Sequence, residues 1–391
     1  MSEPSQPTVD FGFVDPQERR SSGVVKWNRY PDRVIPAWVA EHDLGPPPAV
    51  VERLRDLVDL RAFGYHSAGD NVGPAYSSWA TRRHGWTPDP DLILLTANVL
   101  QGIWACVEAL TAPGDGIMYT PPVYPPFLDV PPTTDRRAVH WPMTLTDTGW
   151  HYDFDALSGL LEADPGISLL LLSHPHNPTG RVLTAEELIH IVDLSHEHDL
   201  TIVSDEIHSD LVYADSTHIP MLTVPGASSR TVTVTSGVKT FALGGMRCAV
   251  AICGDDRLRS AIRSIPTELL GAPNRMGCEA SITAWETGSD WTDQLLALLD
   301  RNRRHLFDRI SADLPEVRMF LPESTFVAWL DLSAFDTGDH PARWLRHMTG
   351  VASGNGPNFG PAGEKHVRIT FGTSAELLDE IADRIITGLK G

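Results

Sequence analysis

The chain predicts an α/β protein with a large domain built on a mainly parallel sheet, helices on both of its faces, and a smaller α+β domain behind it. Three observations carry this. From about residue 75 to residue 235, short apolar stretches alternate with helical ones, and strands joined through helices run parallel. The stretch 168–172 (SLLLL) is almost wholly apolar, as a strand covered on both faces must be. After about residue 285 the alternation gives way to one long helix, a few short strands and a last helix. A chain of 391 residues has room for two unequal domains.

The elements follow in order. Residues 1–48 are proline-rich and aperiodic, and read as an extended arm that also completes the small domain. A helix starts after three prolines, with Val50, Val51, Leu54, Leu57 and Val58 on one face. Pro74–His84 reads as a helix, Leu92–Leu95 as a strand, Val99–Thr111 as a helix and Gly116–Tyr119 as a strand. Thr184–His198 is a helix whose N-cap is Thr184, with Glu187 at the capping-box position. Thr201–Ser204 and Thr231–Thr235 are strands. Then come the helix Asp290–Ala312, strands near Phe326–Asp331, Gly350–Ser353 and Val367–Thr370, and a last helix from Ser374 to about Ile386. The expected division is 1–48 for the arm and part of the small domain, 49–285 for the large domain and 286–391 for the small one. No internal repeat or low-complexity tract interrupts it.

Composition narrows the function. The net charge of −20 argues against nucleic acid or an anionic membrane as partner. The four cysteines, Cys106, Cys248, Cys253 and Cys278, form no CxxC and read as buried, reduced thiols. The N-terminal stretch has no basic segment followed by an apolar run, and Leu169–Leu172 is far too short to span a bilayer. A cytoplasmic protein is expected. The run His196–Glu197–His198–Asp199 ends a helix away from the other motifs and reads as a solvated charged turn. No metal is expected.

Ligands of parallel sheets sit at the carboxyl ends of the strands, so polar groups just past strands are informative. They occur in one order: Asn98, Tyr124 in PPVYPPF, Asn177 in HPHNPTG, Asp205 in VSDEIH, then Ser236 and Lys239 in TSGVKTF, with Arg247 eight residues later. Each has a bland reading alone: a turn, a cap, a surface lysine. SGVK also matches a Ser-x-x-Lys motif, but neither Ser-Asp-Asn nor Lys-Thr-Gly follows it. The ordered conjunction is what points to chemistry.

That conjunction resembles the fold-type I enzymes of pyridoxal 5′-phosphate (PLP), in the class I and II aminotransferase superfamily. The resemblance is strongest to the MalY/PatB-type cysteine C–S lyases, the cystathionine β-lyase branch. The stretches that carry it are IPAWVAEHDL, FGYH, GDGIMYTPPVYPPF, HPHNPTGRV, VSDEIHSDLVY, KTFALGGMR, LPESTFVAWLDL and GVASGNGPNFG…HVRITFG. It implies an aspartate-aminotransferase-like fold with a seven-stranded sheet. It implies that Lys239 carries the cofactor aldehyde on its amine and later acts as base, and that Asp205 faces the pyridine nitrogen. Asn177 would bond the ring hydroxyl and Tyr124 stack on the ring. The phosphate would lie where Asn98, Val99 and Leu100 open a helix, with Ser236 and Arg247 completing its site. Arg368 would grip the substrate α-carboxylate. Tyr65 in FGYH would reach the neighbouring subunit's site, which implies a homodimer with shared active sites.

His208, three residues after Asp205, favours the lyase branch, since many aminotransferases have tyrosine there. Three positions depart from the branch: Ala242 where Asn is usual, Glu41–His42–Asp43 in place of Asp-Met-Asp, and Thr370 in place of Asn. They are expected close to the pocket, with Glu41 toward the substrate, and they place simple cystathionine in doubt. The reading is a PLP-dependent β-lyase acting on an S-substituted L-cysteine, cystathionine-like or a bulkier conjugate of specialised metabolism. Transamination, or decarboxylating or oxidative deamination, is the alternative. A regulatory binding role, known for some of the family, would be a second job.

Overall fold

The computed structural model describes residues 11, 12 and 15–391; the rest of the expected arm lies outside the described residues. The central sheet has seven strands in the order Ile93–Thr96, Ala249–Cys253, Thr231–Thr235, Thr201–Asp205, Ile167–Ser173, Gly116–Tyr119, Arg137–His140. All run parallel except Ala249–Cys253, which is antiparallel to both neighbours. That exception matters for the site. An antiparallel strand begins at the edge where the others end, so Arg247 and Cys248, just before it, reach the carboxyl edge.

Local chemistry explains the helices. Thr184 and Glu187 form the reciprocal capping box at the start of Ala185–Glu197. Asn98 caps Val99–Leu110 by accepting the Gln101 N–H at 3.0 Å. Gly102 lets this helix press on the sheet, since a Cβ there would stand 2.8 Å from Val234 Cγ1. Leu169–Leu172 and Val232 and Val234 are buried completely, as strands covered on both faces require.

A second sheet of four antiparallel strands follows, ordered Arg318–Met319, Val327–Asp331, His366–Thr370, Gly354–Asn355. Helices Ser289–Asp313, Pro341–Thr349 and Ala375–Lys390 accompany it. The expected strand Gly350–Ser353 is two short pieces. Val351–Ala352 pairs in parallel with Ile35–Pro36, tying the start of the chain to its end, and Gly354–Asn355 borders the four-stranded sheet.

Residues 15–48 are more ordered than an extended arm. They hold the short helices Pro16–Ser21 and Val25–Asn28, fastened by the buried Lys26–Asp43 pair at 2.8 Å, with Trp27 Nε1 also donating to Asp43. Helices this short show little periodicity, and the buried lysine that anchors them has no sequence signature. The helix Pro48–Asp59 forms as expected, but only Val50 and Leu57 of its apolar face are buried, while Val58 is exposed together with Leu60, Phe63 and Tyr65. The four cysteines are buried and unpaired. Among the described residues no helix is long and apolar enough to cross a membrane.

Candidate active site

One cavity opens at the carboxyl edge of the large sheet, and its lining includes Asn98, Val99, Leu100, Tyr124, Asn177, Asp205, His208, Ser236, Lys239 and Arg247. They come from the ends of five parallel strands, or the segments just after them, and from the segment just before the antiparallel strand Ala249–Cys253. The residues are spread over 150 positions in sequence, and the strand order gathers them.

Lys239 is among the residues that line it. Its Nζ donates to the Ala40 carbonyl at 2.6 Å. Burial, then the Arg368 charge, pull its pKa down to about 8, with Glu41 and Asp205 opposing. The amine is therefore neutral in an appreciable fraction near neutral pH, as a nucleophilic lysine must be. Asp205 is buried, and among the described residues its carboxylate accepts only the Ile207 N–H, at 3.1 Å. Burial lifts its carboxyl to about 7. Such a carboxylate lacks a cation, and a protonated pyridine nitrogen would supply one. His208 is buried with an unpartnered Nδ1 and is held neutral, near 3, by burial and by the charges of Lys239 and Arg368. Tyr124 has its phenol pushed up by burial.

Part of the lining suits an anion. Val99 and Leu100 present first-turn N–H groups that no helical carbonyl can reach. The Arg247 guanidinium has no ion pair or hydrogen-bond partner among the described residues. Ser236 is less ready: its hydroxyl donates to the Cys248 carbonyl at 2.5 Å and must rotate to face a phosphate. Asn98 contributes as the cap of this helix. A carboxylate, an amine and an anion cradle lining one cavity fit PLP.

Arg368 stands beside this cavity. It is buried on the strand His366–Thr370, donates to Asn177 Oδ1 at 2.9 Å and to the Trp38 carbonyl at 3.3 Å, and lies over the Phe359 ring at 4.9 Å. It has no carboxylate partner among the described residues, and burial lowers its pKa to about 10, so it remains a cation at neutral pH.

Three expected residues lie elsewhere or play other parts. Tyr65 is fully exposed and is not brought to the cavity by its own chain. Glu41 is half-buried and influences Lys239 through its charge, but it does not line the cavity. The neighbouring departures are also outside the lining. His42 bonds the Lys239 carbonyl, Asp43 pairs with Lys26, and Thr370 donates to the Phe326 carbonyl at 3.1 Å. Ala242 takes a left-handed conformation (φ 57°), where an asparagine is better tolerated than an alanine. These four therefore bear on the frame of the site more than on its lining. Sequence reasoning missed Ala40, Ser173, Ile207, Val238, Gly244 and Cys248, which also line the cavity and whose small or apolar side chains carry no chemical signal. The run His196–Asp199 packs on the opposite side of the sheet from the chemistry, His196 bonding the Gly226 carbonyl and Asp199 pairing with Arg230.

The model of one protein family, described as aminotransferase class I and II, matches residues 40–385. Among curated proteins, the cystathionine β-lyase PatB of Bacillus subtilis is 32% identical over 388 residues, covering 97% of this chain and all of PatB. Among solved structures, cystalysin of Treponema denticola, which contains PLP, superposes with a TM-score of 0.92 at 27% identity, covering 98% of this chain and 99% of cystalysin. The PLP-bound C–S lyase of Staphylococcus hominis gives 0.91 at 26% identity, covering 97% and 99%.

Proposed function

The chain belongs to the class I and II aminotransferase family, and we propose that it works there as a PLP-dependent carbon–sulfur β-lyase. An S-substituted L-cysteine, with one water, is cleaved to a thiol, pyruvate and ammonia. One observation carries the reading. A buried amine and a buried carboxylate share a cavity with a neighbouring buried arginine that lacks a counter-charge among the described residues, in a chain alike over 97% of its length to a cystathionine β-lyase.

PLP, when bound, supplies an electron sink that lets the Cα–H bond of an amino acid break toward an anion. The residues of this chain divide the remaining work. Lys239 Nζ takes the Cα proton, and its lowered pKa makes it a base near neutral pH. Asp205 would hold a proton at the pyridine nitrogen. Asn177 would bond the ring hydroxyl, His208 would join it in holding the cofactor, and Tyr124 would cover a ring face. The N–H groups of Val99 and Leu100, with Ser236 and Arg247, would hold the phosphate. Arg368 grips the α-carboxylate, which aligns Cα–H with Lys239 and leaves the Cβ–S bond free to break. Glu41 lies toward the substrate and supports the charge on Lys239.

Tyr65 completes the site of a second copy, so the working form is a homodimer. Supporting this, Val58, Leu60, Phe63 and Tyr65 expose a run of apolar side chains beside the large domain, and such runs mark contact surfaces. The same reading places the enzyme in the cytoplasm and divides the chain at residues 48 and 285.

The test is incubation with a panel of cysteine conjugates, following pyruvate and free thiol. Lys239→Ala should abolish the visible absorbance of the lysine-linked cofactor and nearly all turnover. Unchanged absorbance and turnover in that variant would refute the reading, and an amino product that depends on an added keto acid would redirect it to transamination.

A further inference from the structure

We propose that His42 is a positioning residue for Lys239, fastening the lysine to the same strap of chain that meets Arg368. The inference rests on the reading of Lys239 as the reactive amine. Residues 37–43 run between two parts of the site. On one side, Lys239 Nζ donates to the Ala40 carbonyl at 2.6 Å, and His42 Nε2 stands 2.9 Å from the Lys239 carbonyl. Both ends of the lysine are thus tied to one three-residue stretch. On the other side, Thr370 N–H donates to the Ala37 carbonyl at 2.9 Å, Asp43 N–H to the Gly372 carbonyl at 2.8 Å and Arg368 to the Trp38 carbonyl. The strap sets the distance between the proton-transferring amine and the carboxylate-binding guanidinium.

The chemistry of His42 fits this role better than that of a core filler. A carbonyl only accepts, so Nε2 carries the proton and donates it. Nδ1 is left buried without a partner, a cost that an apolar residue would avoid. No other donor reaches the Lys239 carbonyl among the described residues. The ring is packed edge-on against Phe326, with centroids 5.2 Å apart, and tilted against Trp291. Gly372 makes the room: a Cβ there would stand 2.7 Å from His42 Cβ. Burial lowers the imidazole pKa to about 4, with Lys26 and Asp43 as the charged groups facing it. It stays neutral, with its donor in place, across the working pH range. The lyase branch resembled in the sequence usually has a methionine here, which cannot donate.

The experiment compares H42M, H42Q and H42N in the PLP-loaded enzyme. Glutamine carries its amide nitrogen about as far from the backbone as Nε2, and asparagine about as far as Nδ1. Removing the donor from a buried carbonyl should lower kcat about tenfold, on the order of one lost hydrogen bond, with KM changed less than about twofold. The pH midpoint of the lysine-linked visible band should shift by about half a unit or more. H42Q should recover most of both, and H42N should not. If H42M does not fold, the contrast between H42Q and H42N decides. Overturning results are equal behaviour of H42Q and H42N, or variants that lose only melting temperature while kcat and the spectral midpoint hold. Failure of the Lys239 reading is separate: it shows as turnover surviving in Lys239→Ala.

Discussion

Replacing Arg368 by lysine keeps a cation and removes the fork. The native guanidinium already spends one N–H on Asn177 Oδ1 at 2.9 Å and one on the Trp38 carbonyl at 3.3 Å, which fixes its plane against Phe359 and leaves the remaining donors for a ligand. A carboxylate received bidentately in a buried site is worth a few kcal/mol, about a hundredfold or more in affinity. Lysine makes one bond where arginine makes two and cannot serve Asn177 at the same time. KM for S-substituted cysteines should therefore rise about a hundredfold, with bound PLP and the visible spectrum unchanged. The matching S-substituted cysteamines, which lack the carboxylate, should be poor substrates for wild type and lose little further. A second consequence comes from the missing counter-charge. Burial lowers the Arg368 pKa to about 10, a cost on the order of 3 kcal/mol for holding the cation. Arg368→Met should therefore raise the melting temperature of the apoprotein while removing binding. The assays are steady-state kinetics on paired acid and amine substrates, and thermal unfolding. If Arg368→Lys sheds PLP, or costs the acid and amine substrates equally, the arginine serves the cofactor or the fold instead.

Three further outcomes follow from the site. Asp205→Asn keeps the volume but removes the charge opposite the pyridine nitrogen, so kcat should fall by about two orders of magnitude or more; a near-normal rate means another group holds that proton. Mixing Tyr65→Phe with Lys239→Ala subunits should restore part of the activity, since a heterodimer has one site with neither defect; no recovery despite subunit exchange places Tyr65 in its own chain's site. His42 sets an acid limit on stability. Its folded pKa of about 4 lies below the unfolded value near 6.5, so between these values the unfolded chain binds the extra proton and stability falls as pH drops. Relative to H42Q, wild type should lose about 1.2 kcal/mol per pH unit between pH 6 and 4.5; parallel denaturant midpoints for the two proteins would show that the histidine is not neutral when folded.

Local signals carried the secondary structure where one pattern dominates. Gly116–Tyr119 and Thr231–Thr235 have the bounds read from their apolar runs, and Thr184 with Glu187 marks a helix start by its own hydrogen bonds. Ile167–Ser173 is longer than its apolar core because pairing with Thr201–Asp205 continues to Ser173. The strand Arg137–His140 and the hairpin Thr144–Thr146/Gly149–His151 went unread, being short, polar and partly exposed. The short helices before residue 30 were unreadable for a related reason: they are held by contacts with later segments, Arg19 to the Leu44 carbonyl and Lys26 and Trp27 to Asp43.

By itself, the sequence determined which residue types stand after which strands. The order Asn98, Tyr124, Asn177, Asp205, Ser236, Lys239, Arg247 carried the resemblance that implied the cofactor, and a parallel sheet delivers its strand ends to one edge, where a ligand can sit. Only the tertiary structure decided what depends on contacts distant in sequence. It brought Arg368 to Asn177 across 191 positions and the Ala40 and Trp38 carbonyls to Lys239 and Arg368. It turned Glu41–His42–Asp43 and Thr370 from expected pocket residues into parts of a strap and its anchors. It left Tyr65 in solvent on its own chain. The physical reason is the same throughout: strand direction and capping are encoded over a few residues, whereas a buried hydrogen bond or an ion pair exists only once two remote segments have excluded water between them.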